Sequence, residues 1–273
     1  MAEPRRLIAF LSDFGWSDPY VGIVHGVVEK LTGGSVKLVD LTHDVPAFSV
    51  TAGAYILYTS YRYFPEGTVF LAVVDPGVGT ERRPVTIKTR RYFFVGPDNG
   101  LLYPAAAEDG IEEVRVIANE EIFLKPVSYS FHGRDIFAPA AARIALGASM
   151  ELLGPLLDPG KLVKLELRRS CPEADEGRVE AKVVYIDRFG NAALGLEAGC
   201  REKLCRSPSD IVVVRAGSRI VEARCLPVFS RAAPGEVVFY VNSLGFPELA
   251  ANMDSAARKL ELAVGDTVEL WRR

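Results

Sequence analysis

Short apolar runs alternate with helix-like segments through the first half of this 273-residue chain, and that alternation constrains the fold more than any other feature. Parallel strands need long crossover connections, which are usually helices. The pattern therefore predicts a mostly parallel sheet covered by helices. Asp18 and Pro19 are predicted to cap the first helix. The expected strands and helices are Leu7–Leu11, Val36–Leu41 and Thr68–Val74, and Val21–Leu31, Thr51–Phe64 and Asp135–Leu146.

The second half follows a different pattern, in which short strands recur at close spacing and one helix is expected over Glu248–Leu260. Residues 161–176, a charged stretch that follows the Pro- and Gly-rich residues 154–160, are predicted to be a linker. We expect an α/β fold class, with an N-terminal α/β domain of mostly parallel sheet over residues 1–160 and a smaller, mainly antiparallel β domain over residues 177–273. The strands predicted there are Val179–Ile186, Ile211–Arg215, Ile220–Arg224, Glu236–Val241 and Asp266–Trp271.

Charge and cysteine placement exclude several classes of protein. The formal net charge is −3, with acidic and basic residues interspersed, so binding to nucleic acid is not expected. No apolar run approaches the roughly 18 residues of a membrane helix, so no membrane association is expected either. The four cysteines form no CxxC pair and lie far from the three histidines, so spacing predicts no bound metal. We expect a cytoplasmic protein with reduced thiols.

Polar side chains follow three of the predicted N-terminal strands: Asp13, then His43 with Asp44, then Asp75. Ligands of open α/β sheets bind beyond the carboxyl ends of strands, so these residues are candidates for a site. Asp is also a common turn former, and His43 with Asp44 is interpreted as structural capping, as His25 is interpreted as a structural side chain. One alternative stays open from the residues alone, a metal hydrolase that uses Asp13, His43, Asp44 and Asp75.

Familiar nucleotide and hydrolase motifs do not occur in the sequence. Gly77-Val78-Gly79 follows a strand, but Arg82 stands where GxGxxG needs its third glycine. Neither a Walker A motif nor GxSxG is present. The chain instead carries six segments in which polar residues and glycines cluster. They are Leu-Ser-Asp13-Phe-Gly15, Val-Asp75-Pro-Gly-Val-Gly-Thr-Glu-Arg82, Gly96-Pro-Asp-Asn-Gly-Leu-Leu102, Phe131-His-Gly-Arg-Asp135, Asp187-Arg-Phe-Gly-Asn191 and Asn242-Ser-Leu-Gly245.

These six motifs, in this order across almost the whole chain, resemble the S-adenosyl-L-methionine (SAM) hydroxide adenosyltransferase family, which is related to the fluorinase and chlorinase enzymes. The resemblance implies attack of water or hydroxide on ribose C5′ of SAM, giving adenosine and L-methionine. The family's water-binding triad maps to Asp75, Arg82 and His132, and its ribose-binding Asp maps to Asp13. Arg82 is preferred to Arg83 because of its offset from Asp75. Asp75 or a neutral His132 would accept the water's proton, without a metal.

The resemblance places the remaining substrate contacts in the C-terminal domain. Phe189 and Asn191 match adenine-binding positions, and Phe229 matches a second aromatic wall. Asp187 matches the residue that holds the methionine ammonium, and Ser243 matches one that contacts its carboxylate. Family members are homotrimers with sites at subunit interfaces. We therefore expect a homotrimer that acts on SAM and carries no cofactor.

Two departures from the family pattern concern methionine recognition. Ala-Ala-Leu-Gly follows Asn191 where the family often has Thr-Asn, and Leu244 stands where the fluorinase has Arg. The halide enzymes carry Tyr and Ser-type residues where this chain has Asp75 and Gly133. Because an anionic Asp75 would repel a halide, a halide-dependent adenosyl transferase is the less favoured alternative. The other alternative is a non-catalytic module that binds SAM or adenosine, against which the intact triad argues.

Overall fold

The chain divides into two compact units, and the division in sequence lies between Leu165 and Glu166. The computed structural model describes residues 7–171 and 178–273. Of the predicted linker, residues 172–176 therefore lie outside the described residues. Each unit has its own sheet and its own apolar core.

The N-terminal unit is built on six strands, which are β1 (Leu7–Ser12), β2 (Lys37–Thr42), β3 (Val69–Val73), β4 (Pro84–Thr89), β5 (Phe93–Pro97) and β6 (Ile111–Val116). They form one sheet in the order β2-β1-β3-β5-β4-β6. The first four strands in that order are parallel, and β4 is antiparallel to both of its neighbours. The predicted mostly parallel sheet is confirmed, and its central strand β3 is buried at every position.

Four α-helices accompany this sheet: α1 (Tyr20–Thr32), α2 (Val50–Ser60), α3 (Tyr103–Asp109) and α4 (Ala138–Ala145). The prediction that Asp18 caps α1 is wrong, because Pro19 takes the cap position and no side chain caps the helix. The helix expected from Asp135 begins instead as a π-helical turn, Gly133–Phe137, which leads into α4. Pro139 has no N–H to donate to the Asp135 carbonyl, which accepts from Leu124 instead. No helix in the described part of the chain is long and apolar enough to cross a membrane.

The carboxyl ends of β1, β2 and β3 lie at one edge of the sheet, because these strands are parallel neighbours. Asp13 directly follows β1, His43 directly follows β2, and Asp75 lies two residues beyond β3. The topology therefore gathers the three polar strand ends at a single edge, as expected for open α/β sheets.

The C-terminal unit is a closed barrel of seven strands in the order β10-β11-β12-β8-β7-β13-β9. All neighbouring pairs are antiparallel except β10 with β11, so the predicted mainly antiparallel β domain is confirmed. The strands are β7 (Arg178–Ile186), β8 (Ala192–Leu194), β9 (Ile211–Ala216), β10 (Arg219–Arg224), β11 (Val237–Val241), β12 (Pro247–Ala251) and β13 (Thr267–Arg272).

Two short helices, α5 (Gly199–Leu204) and α6 (Ala256–Leu260), complete this unit. The single helix expected over Glu248–Leu260 is wrong in its first part, which forms β12. All five residues of β12 are buried, and a short, fully buried apolar run carries no periodicity that separates strand from helix.

The expectation of four reduced thiols is also wrong, because Cys205 and Cys225 form a disulfide bond. Cys205 directly follows α5 and Cys225 directly follows β10, and their Cα atoms lie 5.7 Å apart. The fold brings them together across 20 residues of sequence, a contact that cysteine spacing alone does not reveal. Cys171 and Cys200 are free.

A methyl group added at Gly96 is expected to destabilise the N-terminal unit by about 1–3 kcal/mol or more, because overpacking a filled core strains it. A Cβ at this position of β5 would lie 2.2 Å from the Ala72 carbonyl oxygen on β3. Urea unfolding of Gly96→Ala, followed by circular dichroism, measures the loss. Gly22→Ala is the matched control, because a Cβ there meets nothing within 4 Å in α1. Alanine should stabilise that helix by about 0.5–1 kcal/mol, and equal midpoints for the two variants would contradict the packing argument.

Candidate active site

Asp75 and Arg82 form a buried ion pair at the carboxyl edge of the N-terminal sheet. Arg82 Nε donates to both carboxylate oxygens of Asp75 at 3.0 and 2.9 Å, and Nη2 donates to Oδ2 at 2.6 Å. The side chains are only 6% exposed for Asp75 and 9% for Arg82. The guanidinium also lies over the Phe137 ring, 5.1 Å from its centroid. Such a bidentate, charge-assisted contact fixes the position of both groups.

His132 completes a cluster of three with this pair. Its Nδ1 lies 2.7 Å from Arg82 Nη2. Since a guanidinium can only donate, Nδ1 must accept, and the proton of the neutral ring is on Nε2. Burial lowers the pKa of His132, and the nearby Arg82 charge lowers it further. The structure therefore brings together all three residues of the predicted triad and favours a neutral imidazole among them.

Close backbone packing holds the two loops of this cluster together. Gly79 has a φ of 76°, a conformation that favours glycine. A Cβ there would lie 2.5 Å from the Tyr129 carbonyl oxygen, so the loop after β3 contacts the segment that precedes His132. The short Asp75-to-Arg82 loop and the π-helical turn thus place side chains from distant parts of the sequence side by side.

Asp13 lies near this cluster and is held by the loop that follows β2. Its Oδ2 accepts from the Phe48 backbone N–H at 2.8 Å. Burial raises the pKa of Asp13, and the negative charge of Asp75 raises it as well. Phe48 has a φ of 65°, unusual for a non-glycine residue, and its side chain is 73% exposed. Phe48 was not predicted, since nothing in Pro-Ala-Phe-Ser signals that its backbone N–H binds Asp13.

In the barrel, Asp187 organises the turn between β7 and β8. Its Oδ1 accepts from the backbone N–H groups of Phe189 and Asn191, each at 2.9 Å. Its Oδ2 accepts from the Asn191 side chain, also at 2.9 Å. Asp187, Phe189 and Asn191 therefore lie in one hairpin turn. The carboxylate has a structural task there and keeps lone pairs for one further donor.

A second turn in the barrel, between β11 and β12, carries Ser243. Asn242 Oδ1 accepts from the backbone N–H groups of Leu244 and Phe246, each at 3.0 Å, which leaves Ser243 exposed at the tip. Asn242 Nδ2 donates to Glu248 Oε2 at 2.7 Å, and the Tyr240 hydroxyl donates to the other oxygen. Glu248 was missed because its segment was expected to be helical.

Burial raises the pKa of Glu248, and the charge of Asp187 raises it further. Asp187, in the first turn, and Glu248, on the strand that follows the second turn, therefore lie close enough for their carboxyl groups to interact. Phe189 in the first turn is 75% exposed. Phe229 is 38% exposed and lies edge-to-face against Tyr240, with ring centroids 6.4 Å apart. Both predicted adenine-stacking rings are accessible side chains rather than core residues.

The structure does not assemble the alternative metal site. His43 is fully buried, and its ring contacts Ser12 and Asp40 rather than Asp13, Asp44 or Asp75. Within the described residues, the group whose ligand atoms converge is His25, Asp40 and His43. A metal hydrolase built on the three strand-end carboxylates is therefore not supported.

The sequences of both units match models of known protein domains. Residues 8–154 match the SAM hydroxide adenosyltransferase N-terminal domain, and residues 181–269 match the C-terminal domain of the same family. The chain belongs to the SAM hydroxide adenosyltransferase family. The resemblance carried by the six motifs is thereby confirmed.

Named relatives of this family member fall into two groups. The (R)-S-adenosyl-L-methionine hydrolase of Salinispora tropica is 40% identical over 98% of both chains. The protein of the same name from Thermus thermophilus is 39% identical, over 97% of this chain and 99% of its own. A fluorinase from Actinoplanes is more distant, 27% identical over 99% of both chains.

Solved structures share the fold. An uncharacterized conserved protein from Thermotoga maritima is 37% identical, with a TM-score of 0.87 over 97% of this chain and all of its own (100%). A conserved hypothetical protein from Thermus thermophilus is also 37% identical, with a TM-score of 0.76 over 97% of this chain and 99% of its own.

Proposed function

We propose that this protein is a SAM hydrolase, in which water attacks ribose C5′ of SAM and releases adenosine and L-methionine. The observation that carries the proposal is the buried cluster of Asp75, Arg82 and His132 at the carboxyl edge of the sheet. A module that only binds SAM has no need of three converging, desolvated polar groups. The names of the hydrolase relatives support the same activity and the (R) epimer of the sulfonium as substrate.

The chemistry requires orientation of water more than activation of the leaving group. The sulfonium of SAM departs as a neutral thioether, so no acid is needed to protonate it. As the C5′–O bond forms and the C5′–S bond breaks, the electron pair goes to sulfur and one proton leaves the water. Holding water in line with the C5′–S bond lowers the barrier by several kcal/mol.

The three residues of the cluster then have separate tasks. Asp75 is the proton acceptor, because among the described residues its Oδ1 accepts only from Arg82 Nε and keeps a lone pair. The one unprotonated nitrogen of His132, Nδ1, is already occupied by Arg82. The contacts of Arg82 use Nε and Nη2, and no described residue accepts from Nη1, which is left to hold the attacking water. His132 is a positioning residue that orients the guanidinium. No metal or cofactor has a step in this scheme.

We propose that the remaining predicted residues bind the substrate. Asp13 accepts from ribose hydroxyls, and Phe189 with Phe229 stacks on adenine. Asn191 contacts the adenine edge. Asp187, in one barrel turn, binds the ammonium of the methionine moiety. Ser243, in the other turn, contacts its carboxylate.

A chromatographic assay tests this function. Purified protein is incubated with SAM in chelator and without halide, beside an Asp75→Asn variant. We expect adenosine and methionine only from the unmutated protein. A parallel reaction in excess chloride should give no chlorinated nucleoside, because the carboxylate that accepts the water's proton disfavours an anion in the same position. Unchanged SAM that co-elutes with the protein would instead establish the binding module.

We also propose a homotrimer with its sites at subunit interfaces. Large aromatic side chains beside the candidate residues are exposed in the single chain, including Phe48 and Phe189. Exposed apolar surface of this kind is typical of interaction sites. A mixture of Arg82→Lys and Asp187→Asn, each expected to be impaired alone, should regain part of the activity after subunit exchange. A trimer by light scattering without any regain would contradict shared sites.

The pH dependence of kcat/KM should follow His132. The neutral ring is the active form, and burial and Arg82 lower the pKa of His132, so the midpoint of its protonation lies below the ordinary value of about 6.5. We expect kcat/KM to be constant from neutral pH upward and to fall as pH drops through the lowered pKa. His25→Gln should keep the same profile, since His25 lies outside the cluster. A profile whose midpoint lies above pH 6.5 would contradict the role of His132.

A further inference from the structure

Three side chains outside the reaction cluster converge where α1 packs beside the end of β2. His25 lies on α1, Asp40 on β2, and His43 directly after β2. Both histidines present Nε2 to the same oxygen, Asp40 Oδ1, at 2.8 Å for His25 and 2.9 Å for His43. All three potential ligand atoms lie within 4.8 Å of one another. The mechanism proposed above uses none of these groups.

We propose that His25, Asp40 and His43 form a binding site for a divalent transition-metal ion of the zinc class. Two imidazole nitrogens and one carboxylate oxygen are ligands that Zn²⁺ prefers, with water completing a tetrahedron. Tetrahedral ligands at 2.0–2.1 Å from the ion lie about 3.3 Å apart. Coordination therefore needs the Asp40 oxygen to move about 0.5 Å from each nitrogen. The two nitrogens, which lie within 4.8 Å of each other, must also come to about 3.3 Å.

Burial of the three ligands suits a site with one open side. His43 is fully buried, whereas the side chain of Asp40 is 24% exposed and that of His25 is 37% exposed. The exposed side gives an ion and its water a route to the site.

Ser12 supplies the outer contact that such a site requires. Its Oγ lies 2.7 Å from His43 Nδ1. Without an ion, His43 Nε2–H donates to Asp40 and Nδ1 accepts from the Ser12 hydroxyl. With an ion, the ring proton resides on Nδ1 and Ser12 Oγ accepts it, so the ring needs no reorientation and releases no proton. Metal-bound histidines usually make a hydrogen bond of this kind.

The position of the site gives the ion a structural task. The His43 carbonyl accepts from the Gly15 N–H at 2.8 Å, and Ser12 immediately precedes Asp13. An ion bound here would therefore fasten α1, the end of β2 and the turn after β1 to one another. It would stabilise the segment that carries Asp13 without taking part in the chemical step.

Metal titration of the chelated, dialysed full-length protein tests the site. By calorimetry we expect one Zn²⁺ per chain, a higher Tm, and no binding of Mg²⁺. His25→Ala removes an accessible ligand and should weaken Zn²⁺ binding at least about 100-fold, and Ser12→Ala should weaken it about 10- to 100-fold. His132→Asn, which alters the other histidine of the chain, and Cys171→Ser, which alters a free thiol, should bind Zn²⁺ as the unmutated protein does.

Two outcomes would overturn the site: unmutated protein that binds no Zn²⁺ at 100-fold molar excess, or equal affinity in His25→Ala. Loss of binding in Cys171→Ser but not in His25→Ala would assign the ion to the thiols and would also overturn it. SAM turnover of His25→Ala, measured separately, should match that of the unmutated protein. Zn²⁺ binding tests the metal site and SAM turnover tests the hydrolase activity, so either proposal can fail without the other.

Discussion

Exchange of Arg82 for Lys is expected to lower kcat for SAM hydrolysis by about 100-fold or more, with little change in KM. Arg82 contacts Asp75 through Nε and Nη2 and His132 through Nη2. A single ammonium cannot hold the carboxylate in a bidentate contact and the imidazole at the same time. Because the loss falls on positioning of the reacting water rather than on substrate affinity, initial rates across a range of SAM concentrations separate the two.

The neighbouring arginine provides a matched control. Arg83 donates to Asp98 at 2.9 and 2.6 Å and to the Lys161 carbonyl at 2.6 Å, away from the cluster. Its side chain is 38% exposed, so Arg83→Lys should leave kcat within about threefold of the unmutated value. Equal losses in Arg82→Lys and Arg83→Lys would contradict the assignment of Arg82 to the reaction.

Asp75→Asn is expected to reduce both stability and activity. The change leaves the Arg82 charge buried without its partner, which typically costs about 3–5 kcal/mol. It also removes the proton acceptor, for which we expect a loss in kcat of about 1,000-fold. Urea unfolding gives the first quantity, and adenosine formation at low temperature, where the variant stays folded, gives the second.

A double variant separates these two effects. Asp75→Asn with Arg82→Gln removes both charges, so no buried charge is left without a partner and most of the lost stability should return. Activity should not exceed that of Asp75→Asn alone, because the double variant also lacks the Arg82 contact to the water. Recovery of activity together with stability would show that Asp75 acts only through folding, and the proton-acceptor role would then be wrong.

Much of the N-terminal unit follows from residue patterns, because buried parallel strands are continuous apolar runs bounded by polar turns. The runs beginning at Leu7 and Thr68 correspond to β1 and β3 within two residues. Parallel order then places Asp13 and Asp75 at one edge of the sheet. The local sequence, however, does not indicate that Arg82 contacts Asp75, or that His132, 50 residues further along the chain, contacts Arg82. That grouping was available only from the family resemblance.

Features that depend on tertiary contacts could not be predicted from the sequence. Glu248 lies in a strand whose buried run gives no period, so neither β12 nor its contacts with Tyr240 and Asn242 were expected. The Cys205–Cys225 disulfide depends on how α5 lies against the barrel. His43 was interpreted as a cap, but its partners Ser12 and Asp40 lie on two strands, and only strand pairing brings them together.

The fate of the water oxygen shows whether water attacks C5′ of SAM. The reaction is carried out in H₂¹⁸O, and the products are separated and weighed by mass spectrometry. We expect one ¹⁸O atom in the 5′-hydroxyl of adenosine and none in methionine. Label in a product of the amino-acid moiety, or formation of methylthioadenosine or S-adenosylhomocysteine, would place the attack at another carbon of the sulfonium and contradict the proposed hydrolysis.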